Sequence, residues 1–174
     1  MNESKLILVL GDQLSLDQPA LKQSEPGRDI IVLAEVAEEA TYVRHNRHKI
    51  ALLFAAMRHF RLELETLGYD VHYTAIDQGV ASLKEAVHNV LVQTAAKEVV
   101  VCEPGEYRLV HQMRSAWSSS LGVPVTVLED DRFLASHEDF ERWAHGKKQL
   151  RMEFFYRKMR ELSLIHISEP TRPY

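Results

Sequence analysis

Apolar residues along this chain follow two alternating patterns. Short unbroken runs are separated by longer stretches in which apolar positions recur every three or four residues. Leu6-Ile7-Leu8-Val9-Leu10 has no polar face, as suits a strand covered on both sides in a parallel sheet. Ile30-Ile31-Val32-Leu33-Ala34 and Val99-Val100-Val101-Cys102 repeat that pattern, and Val71 to Ile76 and Val125 to Leu128 read as two further strands. Between them the spacing predicts a helix over about 43–67. Ile50, Leu53, Met57, Phe60, Leu64 and Leu67 form one stripe on it, and Gly68 closes it. Ser82-x-x-Glu85 is a capping box for a helix over 83–96. Further helices are expected over about 107–121, stopped by Gly122, from Ser136 onward, and over 150–161. Glu138 and Asp139 favour the positive end of the helix that Ser136 caps. Residues 18–28, with Pro19, Pro26 and Gly27, read as a surface connection.

Strict alternation of strand and helix implies an α/β fold: a Rossmann-like open five-stranded parallel sheet in the order 3-2-1-4-5, with helices on both faces and right-handed crossovers. That order makes the first and fourth strands neighbours across the point where the chain switches sides. Ligands of such sheets bind in the crevice outside the carboxyl ends of the strands. The loops that reach it are Gly11-Asp12-Gln13-Leu14 after the first strand and Glu103-Pro104-Gly105-Glu106 after the fourth, with Glu35-Val36 ending the second at the same edge. Gly11 lets the chain turn. Asp12 and Gln13 can accept and donate hydrogen bonds, although a turn residue bonding its own backbone explains Asp12 as simply. Glu35 and Glu39 lie near the end of the second strand, and Tyr42 and Ile50 offer apolar walls. Core packing explains Tyr42 and Ile50 equally well, and loop solvation or an ion pair with Arg108 would account for Glu103 and Glu106.

Composition narrows the chemistry. A net charge of −4 gives no basic footprint for nucleic acid. A single cysteine excludes an internal disulfide and a four-cysteine cluster within this chain, and its place in an apolar run reads as a small buried hydrophobe. No leader and no run of about 20 apolar residues is present, so a cytoplasmic protein without a membrane partner is expected. There is no GxGxxG and no P-loop. His45 and His48 lack a third ligand, so no metal site is expected. The basic start Arg44-x-x-Arg47-His48-Lys49 reads as a solvated face, and Trp117 and Trp143 as packing. No triad of catalytic residues has a recognisable context.

Six segments together carry a resemblance to a known family. They are Leu8 to Ser15; Glu35-Val36 with Tyr42-Val43; Lys49-Ile50-Ala51 with Ala56-Met57-Arg58-His59-Phe60; Glu103-Pro104-Gly105-Glu106-Tyr107-Arg108; Asp131-Arg132-Phe133-Leu134; and Met152 to Arg157. In order and without large gaps, residues 5–161 resemble the N-terminal domain of the bacterial photolyase-related proteins. These form the iron–sulfur branch of the cryptochrome/photolyase family, which includes (6-4) photolyases. The resemblance implies that this domain holds a lumazine-type antenna, 6,7-dimethyl-8-ribityllumazine, on Gly11, Asp12, Gln13, Leu14, Glu35, Val36, Glu39, Tyr42, Ile50, Glu103 and Glu106. It implies that FAD, a 4Fe-4S cluster and the DNA-binding surface belong to a C-terminal helical domain. Reduced FAD would then repair a flipped-out DNA photoproduct on excitation. On this view the present chain has no catalytic residue, neither retains FAD nor repairs DNA alone, and is a monomer. Two rivals stand beside it: a cryptochrome-like blue-light photoreceptor, and a nucleotide-binding α/β module unrelated to light.

Leu162 to Arg172 looks like a translated transposon-end sequencing adapter, residue for residue. Residues 1–161 are therefore expected to be the native domain, 162–174 a non-native and poorly packed tail, and the natural protein to continue beyond residue 161. Phe154, Phe155 and Tyr156 are expected to belong to a surface that a further domain would cover.

Overall fold

The computed structural model describes residues 3–163. They form two units, one ending at Glu129 and the other starting at Asp130. In the first, five parallel strands make one sheet: β1 (Lys5–Leu8), β2 (Ile30–Ala34), β3 (Asp70–Thr74), β4 (Glu98–Cys102) and β5 (Val125–Leu128). Their order is β3-β2-β1-β4-β5, as the alternation predicts. Ile7 stands at the centre, level with Ile31 of β2 and Val100 of β4. Because β1 is paired on both edges and covered on both faces, Leu6, Ile7 and Leu8 are wholly buried. The ladder is shorter than the apolar run, yet the Val9 N–H still donates to the Val32 carbonyl at 3.0 Å.

Two cores lie on opposite sides of this sheet. On one side Ile7, Val9, Ile31, Leu33, Val100 and Cys102 meet Ala20 and Leu21 of α1 (Pro19–Lys22) and Met57, Phe60 and Leu64 of α3 (Arg47–Thr66). On the other, Leu6, Leu8, Val32, Val99 and Val101 meet Leu83, Ala86, Val87 and Val90 of α4 (Leu83–Gln93). Leu109 of α5 (Tyr107–Gln112) joins the same side, as do Met113 and Trp117. Cys102 is free and buried, and Trp117 packs in the core, as expected.

The helix expected over 43–67 is a single helix with a later start. A short helix α2 (Ala37–Thr41) follows β2, and α3 begins only at Arg47. The cause is Asn46, whose side chain accepts the His48 N–H at 2.8 Å and caps the helix there. Gly68, at a φ of 86°, turns the chain after it. The Ser82 box is offset: Ser82 accepts the Glu85 N–H, but the Glu85 carboxylate reaches the Ala81 N–H, one residue upstream. The helix over 107–121 is interrupted. One π turn, Met113–Trp117, separates α5 from α6 (Ser118–Leu121), and it directs both Met113 and Trp117 inward. Residues 18–28 include α1, whose Pro19 occupies its first turn.

The second unit carries α7 (His137–Ala144) and α8 (Met152–Leu162). Ser136 and Asp139 form a complete capping box at the start of α7. Phe155 of α8 packs edge-on against Phe140, with ring centroids 5.1 Å apart, and against Trp143 at 5.0 Å. Phe154 and Tyr156 are exposed, whereas Phe155 is half-buried in this aromatic trio rather than on an uncovered face. The expected tail falls mostly on residues 164–174, outside the described residues; Leu162 is the last residue of α8. Among the described residues no helix is long and apolar enough to cross a membrane.

The amino ends of β1 and β2 are fastened by Asp29, a fully buried carboxylate. It accepts the Lys5 N–H at 3.1 Å and the Glu25 N–H at 2.9 Å, and pairs with the Arg28 fork at 2.7 and 3.0 Å. Burial pushes its carboxyl up, but the Arg28 guanidinium and the two N–H groups outweigh that and hold it below the usual carboxylate range. Replacing Asp29 by Ala strands these donors. The expected loss is about 3 kcal/mol, equivalent to roughly 6–12 °C in Tm for a chain of this size, measurable by thermal unfolding. A change below about 1 kcal/mol would refute this role.

Candidate functional site

β1 and β4 are neighbours, but their chains leave the sheet in different directions, so a crevice opens at their carboxyl ends. It encloses a cavity of about 320 Å³. Leu10, Ala34 and Val36 form its floor at the strand ends. Ile50, Leu53, Phe54 and Met57 of α3 wall one side, and Leu83 and Leu109 the other. Asp12, Glu39, His45, Lys49 and Glu106 supply polar groups, and Gly11, Pro104 and Gly105 bring backbone to the edge. Gly11 sits where loop and helix approach closely. A Cβ there would meet the Met57 sulfur at 3.0 Å and Leu53 at 3.4 Å.

The expected site residues divide into two groups. Gly11, Asp12, Val36, Glu39, Ile50 and Glu106 line the cavity. Gln13, Leu14, Glu35, Tyr42 and Glu103 do not. Gln13 is wholly buried and donates through Nε2 to the Glu103 carbonyl at 2.8 Å. It therefore ties the β1 loop to the β4 loop instead of offering an amide to a ligand. Its Oε1 has no hydrogen-bond partner among the described residues. Leu14 packs against the α1/α3 core. Glu103 turns to Arg114, 2.7 Å away. Tyr42 is exposed, its ring under the Arg108 guanidinium at 4.5 Å.

Glu35 has the strongest alternative task. Its carboxylate is fully buried and takes the Arg58 fork at 2.7 and 2.9 Å, the Tyr73 hydroxyl, and the Ile76 N–H at 3.0 Å. Burial alone would push the carboxyl up; Arg58, Tyr73 and the Ile76 N–H together hold it below its ordinary value. Burial, then the neighbouring carboxylate, pushes the Tyr73 phenol up. Arg58 follows Met57 on α3 directly, so this cluster fixes the helix that walls the cavity.

Sequence reasoning missed Leu53, Phe54, Met57, His45 and Lys49. Leu53 and Met57 belong to the helical stripe of which only Ile50 was expected at the site. The available signal was its length: α3 continues past the end of the sheet, so the first turns of the stripe face the crevice. Lys49 reads from sequence as part of a solvated basic face, and His45 as one of a histidine pair without a third ligand. Lys49 is exposed and makes no ion pair with a described residue, although it lines the cavity. A second hollow of about 330 Å³ lies between Glu38, Ser82, Lys84, Gln112 and Trp117. Among the described residues no group of three His, Cys, Asp or Glu could hold a metal ion.

Residues 7–174 match the family model of deoxyribodipyrimidine photo-lyase-related proteins. A (6-4) photolyase of Agrobacterium fabrum strain C58 is 44% identical over 159 residues, which cover 90% of this chain and 31% of that protein. The chain thus spans less than a third of the length of the curated relative it matches.

The Glu35 cluster generates a pH prediction. Because its carboxyl is depressed in the folded protein, the stability it contributes is complete above the ordinary value of 4.5. That stability is lost as pH falls through the lower folded value. Glu35→Gln is expected to cost about 2 kcal/mol at neutral pH. The gap to the parent chain should close as pH falls below about 4. Denaturant unfolding across pH 3–7 measures this, and a gap independent of pH would contradict the assignment.

Proposed function

The chain belongs to the deoxyribodipyrimidine photo-lyase-related protein family, and we propose that its α/β unit binds the antenna chromophore of a light-driven DNA-repair protein. The observation that carries this is the cavity at the carboxyl ends of β1 and β4. At about 320 Å³ it falls at the lower end of the roughly 300–1,000 Å³ typical of small-molecule sites. Its walls are apolar and its few polar groups converge at the rim. That combination suits a bicyclic heteroaromatic ring with a short polyhydroxylated chain, such as 6,7-dimethyl-8-ribityllumazine. When bound, such a group absorbs light and passes the excitation on.

The residues here would bind and orient it. Ile50, Leu53, Phe54 and Met57 would cover one face of the ring, with Leu83 and Leu109 opposite. Asp12 and Glu39 are acceptors suited to ring N–H and ribityl hydroxyl groups, and the Lys49 ammonium is a donor suited to ring carbonyls. The apolar walls exclude water from the ring faces. Within the same proposal, FAD, a 4Fe-4S cluster and contact with DNA photoproducts belong to the part of the relative's length that this chain does not span. A four-iron cluster takes four thiolates, and this sequence has one cysteine. The 44%-identical relative, a (6-4) photolyase, favours repair over a purely sensory role.

The test is reconstitution. The purified chain should bind added 6,7-dimethyl-8-ribityllumazine with a Kd in the micromolar range or below, followed by the chromophore's fluorescence. Leu53→Trp, which fills the cavity from α3, should weaken binding at least tenfold while the protein stays folded by circular dichroism. The complex alone should repair no photolesion. Absence of saturable binding, or full binding by the Trp variant, would overturn the proposal.

A further inference from the structure

Two of the cavity's three carboxylates are held by one cation that does not itself line the cavity. Arg108, on the first turn of α5, donates through Nε to Glu106 at 2.8 Å, through Nη2 to Glu39 at 2.8 Å, and through Nη1 to Glu38 at 3.1 Å. Its guanidinium also lies over the Tyr42 ring. Glu106 belongs to the loop after β4; Glu38, Glu39 and Tyr42 belong to α2 and the residue after it. One side chain therefore joins the two edges of the cavity. Among the described residues, no other ion pair or side-chain hydrogen bond ties residues 37–45 to the rest of the unit. Their remaining polar anchor is the Glu38 N–H, which donates to the Ala81 carbonyl at 3.1 Å.

The geometry also distinguishes the two carboxylates. Both Glu106 oxygens face Arg108, at 2.8 and 3.4 Å. Glu39 gives only Oε1 to it, and Oε2 has no hydrogen bond with a described residue. We propose that Arg108 is the positioning residue of this site: it latches residues 37–45 to the β4–α5 loop across the cavity mouth and presents Glu39 Oε2 to the bound molecule. Without it, Glu38, Glu39 and Glu106 would repel one another and the mouth would open. The part that concerns the bound molecule rests on the chromophore reading; the latch itself does not. Arg108 is only one-fifth exposed, while its three partners are partly solvated, so the latch should weaken as salt rises.

Two measurements on the whole chain test this, with Arg108→Gln and, as a milder variant that removes only the stacking, Tyr42→Leu. The first is amide hydrogen exchange without ligand. Residues 37–46 should exchange about tenfold faster in Arg108→Gln, an effect the size of several partly exposed ion pairs acting together, with the strands unchanged. Tyr42→Leu should give a smaller change of the same sign, and so carries the test if Arg108→Gln does not fold. The second is release of 6,7-dimethyl-8-ribityllumazine on rapid dilution, at about 0.05 and 0.5 M salt. Release from the parent chain should speed up with salt; release from Arg108→Gln should be fast at both. Glu39→Gln should weaken binding more than Glu106→Gln. Unchanged exchange at 37–46 in both variants would sink the latch, as would parent-like release with the parent's salt response. If the parent chain binds no lumazine, the chromophore reading fails and the exchange result alone decides the latch.

Discussion

Parallel pairing on both edges of β1 is the constraint from which the rest follows. A strand hydrogen-bonded to β2 on one side and β4 on the other has no exposed edge, and beyond Lys5 at its start its wholly buried positions Leu6, Ile7 and Leu8 are apolar. The connections after β1 and β4 must then diverge to cover opposite faces, with α1 and α3 on one and α4 and α5 on the other. Where they diverge, neither layer covers the strand ends. The cavity is the space this topology leaves open, and its floor is the last apolar residue of the β1 run, Leu10.

An opening at the strand ends has to be held open by polar contacts, because packing there is incomplete. Three arginines do this against buried or half-buried carboxylates. Arg58 grips Glu35 and fixes α3; Arg114 grips Glu103; Arg108 gathers Glu38, Glu39 and Glu106. Gln13 adds a neutral tie between the two loops. The acidic balance of the crevice is thereby largely committed to structure. Asp12 and Lys49 also line the cavity, and Glu39 Oε2 has no hydrogen bond with a described residue.

The fold was legible because its signals are local. Unbroken apolar runs mark buried strands, the three-and-four stripe marks α3, and Gly68 and Gly122 mark stops. The site was half legible. The run ending at Leu10 and the glycine after it locate the loop, and Gly11 and Asp12 line the cavity. Which of two adjacent polar residues faces the crevice is decided by partners far away in sequence, and Gln13 turns inward to a carbonyl 90 positions on. Glu35 is withdrawn in the same way by Arg58 and Tyr73, 23 and 38 positions later. The start of α3 depended on one side-chain cap at Asn46, and the role of Arg108 on three acids that no periodicity connects to it.

In the proposed function, the space between the end of β1, α3 and the β4–α5 loop is where an aromatic chromophore binds. Methyl NMR of the labelled chain, titrated with 6,7-dimethyl-8-ribityllumazine, measures it most directly through ring-current shifts. Saturable shifts are expected at the methyl groups of Ile50, Leu53, Met57, Leu83 and Leu109, with Val99 and Val125 at the opposite end of their strands unmoved. Shifts confined to other methyl groups, or none at saturating ligand, would contradict it.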